Sequence, residues 1–300
     1  MWQNINYLTG TSIDRIFDTP YPNEEYQYLQ VEGAGIYFQV EGNGPYLVFV
    51  PGGDGQGVIF ARLTSYLTKY FTVITYDRRG YGKSEFNGPQ DFENRLDTEA
   101  DDIYKLMRSL TSHKFTLFGT GAGGAVSLKY LAKYSETLAK MFVHEPMVNI
   151  GALSDSKELE KFHTDLCNVY KMEGQDAAVA MYLNKYLNGS DYRRVTSKRL
   201  GDKERSWGVH FEHETIAYSF YNTNTEIISA NKDKLVLMYG TESLNSIIYR
   251  PVHAISKYLN SPLVSFPGGH IGYVTETEKF AVEFLKLCMR HSLINSIPKL

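Results

Sequence analysis

Three hundred residues with an ordinary apolar share (43%) can bury a sizeable core, in one large domain or two small ones. A formal net charge of −3 and no long basic run argue against nucleic-acid binding by phosphate neutralisation. Cys167 and Cys288 are too few for a disulfide framework and fit a reduced, cytoplasmic setting, and neither a signal peptide nor an apolar run of the ~20 residues needed to span a membrane is evident.

Residues 1–24 show no clear period and read as an irregular arm. From Glu25, YQYLQV and IYFQV alternate around a Gly-bearing turn, which predicts a hairpin. YLVFV from Tyr46 is a continuous apolar run, as expected of a strand covered on both faces, and it ends in PGGDG. A helix is expected from about Val58 to Tyr70, then a buried strand, FTVITYD, and the turn-rich RRGYGKS. DTEADDIYKLMRSL carries its acidic residues early and its basic ones late, as the helix dipole favours.

KFTLFGTGAGGAV then reads as a buried strand, a sharp turn of small residues and a helix entered at Ala125 and running to about Ala139. Gly119, Thr120, Ala122 and Gly123 occupy the frame of the G-x-S-x-G nucleophile elbow. The centre, where serine belongs, is Gly121. MFVHEP from Met141 is the next strand. From 147 to 231 the pattern is helical, rich in tyrosine and without a buried strand, which predicts an inserted helical lid. Alternation resumes with KLVLMYG, a helix from about Tyr249 to Leu259, PLVSFPGG and a final helix. The expected fold is α/β, a doubly wound and mostly parallel sheet built from 25–146 and 232–300, with the lid over the strands' carboxyl ends.

In this order, VFVPGGDGQG, VITYDRRGYGKSE, LFGTGAGG, MFVHEP and FPGGHIGYVT resemble the motifs of the α/β-hydrolase fold family, and most closely the branch with YDRRG, HEP and FPGGHxGY. The resemblance runs from about Ile36 to Leu287 and implies the family's Ser–acid–His order along the chain. It implies that His270 is the catalytic histidine and that its acid is Glu145 or Glu242. Glu242 lies one residue short of the usual acid position, and Glu145 lies where some members place the acid instead. It also implies an oxyanion hole from the backbone N–H groups of Gly53, Asp54 and Ala122. Asp54 is awkward there, since a carboxylate opposes a developing oxyanion unless it points away.

A nucleophile at such an elbow sits at positive φ, at a cost of about 1–3 kcal/mol for a residue other than glycine. Gly121 adopts that conformation freely. Three readings follow: an esterase-like hydrolase that has lost its serine, a binding protein without chemistry, or an enzyme that needs only His270 as a base. The ligand expected under the lid is small and largely apolar, met by Tyr218, Tyr221 and His213. His210 and His213 in HFEHE have helical i, i+3 spacing but no third ligand at a recognisable spacing, so no metal and no cofactor are expected. The protein is expected to be a monomer or homodimer.

Overall fold

A computed structural model describes residues 27–148, 156–196, 207–219, 221, 224–244 and 246–295. The N-terminal arm expected over 1–24 lies outside these residues. The predicted hairpin is β1 (Gln27–Val31) and β2 (Ala34–Gly42), paired antiparallel. β3 (Tyr46–Val50) and β4 (Thr72–Tyr76) follow, then a two-residue strand β5 (Glu85–Phe86) on β2, too short to leave a sequence pattern. β6 (Phe115–Thr120), β7 (Leu138–Pro146), β8 (Leu235–Gly240) and β9 (Leu263–Phe266) complete a nine-stranded sheet, ordered β1-β2-β4-β3-β6-β7-β8-β9 with β5 off the path. From β4 to β9 every pairing is parallel.

The helices are α1 (Ala61–Leu67), α2 (Arg95–Leu110), α3 (Gly121–Tyr134), then α4 (Ser156–Glu173), α5 (Gln175–Tyr186), α6 (Gly189–Thr196), α7 (Thr215–Ser219) and α8 (Thr225–Ala230) between β7 and β8, and finally α9 (Tyr249–Leu259), α10 (Gly272–Thr275) and α11 (Thr277–Arg290). Among the described residues between β7 and β8 there are helices and their connections but no strand. Several boundaries differ from those the sequence predicts: α1 covers Ala61–Leu67, with a 3-10 turn Gly57–Phe60 before it, rather than Val58 to Tyr70. α3 begins at Gly121 rather than Ala125, because small residues let the turn tighten straight into the helix. It also ends at Tyr134, and β7 starts at Leu138, before its apolar run begins.

Every residue of β6 is buried, as helix cover on both faces of a central strand requires. Phe118 sits at the centre of an aromatic cluster, with Phe49, Phe60, Tyr273, Phe280 and Phe284 around it. α1 packs on α11, and α2 packs on α3.

The chain runs from β3 outward to β4, then returns to place β6 on the other side of β3. A reversal of this kind opens a crevice at the carboxyl ends of the two strands, where ligands bind in such sheets. In register, Val50 faces Gly119, so the loop after β3 and the turn after β6 leave the sheet side by side. They touch closely. A Cβ on Gly123 would stand 2.3 Å from the Pro51 carbonyl oxygen, so only glycine allows this approach.

Candidate active site

Gly121 has φ +53, the left-handed conformation of an elbow centre. A Cβ built there would lie 3.3 Å from His270 Nε2 and 3.8 Å from the Gly52 Cα. The centre of the elbow therefore points at the histidine's outer nitrogen. Thr120 is no substitute nucleophile: it is fully buried, and its hydroxyl faces His144 Nδ1 at 3.4 Å.

The inner nitrogen of His270, Nδ1, lies 2.8 Å from Glu145 Oε2. The other carboxylate oxygen, Oε1, accepts the Gly240 N–H at 2.9 Å. Glu145 is fully buried and holds φ +45, an uncommon conformation for a side-chain-bearing residue. The end of β7 is tied to the elbow, since Met147 N–H donates to the Gly121 carbonyl at 2.8 Å. Burial works to raise the Glu145 carboxyl, but His144, the hydrogen bond to His270 and the Gly240 N–H outweigh it and hold it below its ordinary value. An ionised Glu145 accepts the Nδ1 proton, which leaves Nε2 free to take another.

Glu242 is elsewhere. Its side chain is exposed, and its backbone N–H donates to the Gly268 carbonyl at 2.9 Å, bracing the loop that carries His270. Of the two candidate acids, Glu145 is the one that hydrogen-bonds the ring.

Around Gly53 the inserted helices press on the loop: a Cβ there would meet the Tyr182 hydroxyl at 3.0 Å and the His210 ring at 3.2 Å. Arg78 donates to the Gly52 carbonyl at 2.7 Å from inside the core. Ala122 lies in the first turn of α3, where backbone N–H groups have no partner within the helix. Burial pushes the Asp54 carboxyl up to about 7, against the pull of Arg78.

The tyrosines and His213 divide. Tyr218 is buried against the Arg78 guanidinium, 5.7 Å from ring to cation. Tyr221 lies half-buried near Lys129. His213 is part-exposed and stacks on Phe92 with ring centroids 3.5 Å apart. Their contacts are thus with Arg78, Lys129 and Phe92, and among the described residues the rings that reach the Gly53 loop are Tyr182 and His210. His210 and His213 likewise face different neighbours. Among the described residues, His144, Glu145 and His270 bring potential metal-ligand atoms within 4.8 Å of one another, but Glu145 and His270 already hydrogen-bond each other.

Two positioning residues were not among the predicted site residues: one carries no recognisable sequence pattern, and the other sits in YDRRG. Asp191 on α6 is fully buried and accepts the Ile271 N–H at 3.1 Å and the Thr275 hydroxyl at 2.9 Å, so the insertion holds the histidine loop. It sits in NGSD, where Asn188-Gly189-Ser190 stands out only as a formal sequon. Arg78 is the other: its guanidinium pairs with Glu99 and Glu214 while holding the Gly52 carbonyl.

Residues 45–277 match the family model described as alpha/beta hydrolase fold. The chain belongs to that family. A hydrolase of Bacillus subtilis (strain 168), YraK, of uncharacterised activity, is 27% identical over 84% of this chain and 92% of its own length. The human serine hydrolase BPHL is 34% identical over 38% of this chain and 40% of its own length. Among solved structures, an esterase of Thermogutta terrifontis superposes with a TM-score of 0.71 at 16% identity, covering 89% of this chain and 99% of the esterase. An enol-lactonase of Burkholderia xenovorans LB400 gives 0.70, also at 16%, over 88% of this chain and all of the lactonase. At that identity these structures speak for the fold alone.

Proposed function

We propose that this α/β-hydrolase binds a small, largely apolar carbonyl compound under a lid formed by the inserted helices and hydrolyses it without a serine intermediate. The supporting observation is the 3.3 Å between His270 Nε2 and the missing side chain of Gly121, beneath an intact His270–Glu145 pair. Glu145 is fully buried, holds φ +45 and is aimed at that histidine, as the partner of a general base must be.

In this mechanism a water molecule takes the place of the serine hydroxyl. Its oxygen attacks the carbonyl carbon as His270 Nε2 accepts its proton, and Glu145 stabilises the imidazolium. The oxyanion accepts hydrogen bonds from the backbone N–H groups of Gly53, Asp54 and Ala122. The tetrahedral adduct then expels an alcohol, which leaves with the proton from Nε2, so ester and water give acid and alcohol. The unpaired thiols of Cys167 and Cys288 fit a reducing, cytoplasmic setting.

Rapid mixing with an activated short-chain ester tests this. Turnover is expected without a burst of released alcohol, is lost in His270→Ala, and leaves the protein unlabelled by organophosphonates. A stoichiometric burst, or a covalent adduct on any hydroxyl, would sink the water mechanism.

A further inference from the structure

His210 is fully buried in a π-helical turn, His210–Glu214, the kind of local irregularity that recurs at functional sites. Its Nδ1 faces Glu214 Oε2 at 3.4 Å. Glu214 in turn is held by Arg78 at 2.5 Å and Arg95 at 2.9 Å. Burial opposes its charge, but the two guanidinium groups outweigh that and keep its carboxyl well below the usual range. An ionised carboxylate only accepts hydrogen bonds, so the nitrogen facing it carries the ring proton. His210 Nε2 is therefore the bare nitrogen, an acceptor.

That acceptor has no hydrogen-bond partner among the described residues. It stands 3.4 Å from the Cβ position of Gly53, on the loop proposed to hold the substrate oxyanion. The ring's direction is fixed by edge-on packing against Tyr182 (5.2 Å, 83°) and Trp207 (5.6 Å, 82°). The same Arg78 that anchors Glu214 also anchors Gly52, so acceptor and loop share one scaffold. A buried acceptor left unpaired is costly, and a donor delivered by a ligand removes that cost.

We propose that His210 is a specificity-determining residue of the site. Its Nε2 accepts a hydrogen bond from a hydroxyl or N–H group that the substrate carries beside the carbonyl seated over Gly53. The substrate class is then a donor-substituted carbonyl compound, such as a hydroxy ester or an acylamino ester, on an otherwise apolar body. The inference rests on the carbonyl-binding reading above but not on the water mechanism.

Direct binding of two matched, unreactive ketones tests it: α-hydroxyacetophenone and its methyl ether, α-methoxyacetophenone, by titration calorimetry on the full chain. The wild type should favour the hydroxy ketone by about tenfold or more, because the ether leaves the acceptor unpaired. His210→Phe should bring the ratio close to one, and His270→Ala should keep it. Should His210→Phe not fold, the ¹⁵N resonance of His210 Nε2 in the wild type provides an independent test: it should move on adding the hydroxy ketone and stay still with the ether. A ratio near one in the wild type, a ratio unchanged in His210→Phe, or no binding of either ketone would overturn the assignment. Failure of the water mechanism is distinguishable, since it would show as absent ester turnover with the binding ratio intact, which upholds the role of His210.

Discussion

The Cβ position of Gly121 stands 3.3 Å from His270 Nε2, closer than ordinary carbon contact and close to the reach of a hydroxyl. A side chain restored there meets a histidine that already has its carboxylate. Gly121→Ser should therefore create short-chain ester hydrolysis with a burst, abolished again by His270→Ala. It should also destabilise the protein by roughly 1–3 kcal/mol, since serine must take φ +53. If a folded Gly121→Ser lowers wild-type turnover instead, the new side chain occupies the place of the water, and the direct-water mechanism gains. No effect on turnover in either direction would show that Gly121 does not face the reacting carbon.

The partner of His270 can be read in rates. Glu145→Gln keeps the size of the side chain, but its amide group, turned towards Nδ1, donates and so forces the ring proton onto Nε2. Activity should fall by about 10²–10⁴-fold, the range of general-base contributions. Glu242→Gln should change it less than about twofold, because that side chain is exposed. The reverse ranking would transfer the role to Glu242.

The central strands were legible because they are continuous apolar runs, and the elbow because glycine spacing follows the backbone. Gly123 must lack a side chain to pass Pro51, and that leaves a trace in the sequence. The acid was not legible, since Glu145 and Glu242 both lie where a strand gives way to a loop, and the sequence does not show that Glu145 takes a positive φ and is buried while Glu242 is exposed. The roles of His210 and Asp191 were hidden for a related reason. Each acts across a gap of many residues, His210 on Gly53 and Asp191 on Ile271, and helical periodicity marks which residues face inward without naming what they face.

Acid should destabilise the protein in a window that His144 helps to set. Burial, with a smaller contribution from His270, lowers this ring from 6.5 to about 4, against the pull of Glu145. Unfolded chains take up the proton near 6.5 while the folded ring stays neutral, so stability present above that pH is lost as the pH falls towards 4. The slope is about 1.4 kcal/mol per pH unit for one proton. Asp54 works in the opposite sense between 3.8 and about 7, being protonated in the folded state alone. Denaturant unfolding of wild type and His144→Gln across this range isolates the ring: the variant should lose the histidine's share of the slope. Parallel curves would assign the acid sensitivity to other groups.

The ion pairs beneath the insertion should matter more than those on the surface. Arg78 and Arg95 share Glu99 and Glu214 in a buried cluster that joins the YDRRG loop, α2 and the insertion. Glu214→Leu leaves two buried guanidinium groups with a single carboxylate, and an uncompensated buried charge is strongly unfavourable. The expected loss is about 3–5 kcal/mol in chemical denaturation. Lys279→Ala, which removes the exposed pair with Glu276, should cost less than about 1 kcal/mol. Because Glu214 also sets the tautomer of His210, the folded fraction of Glu214→Leu should bind the hydroxy ketone and its ether with similar affinity. A stable Glu214→Leu that still prefers the hydroxy ketone would separate the two roles and show that the His210 proton is placed by something other than this carboxylate.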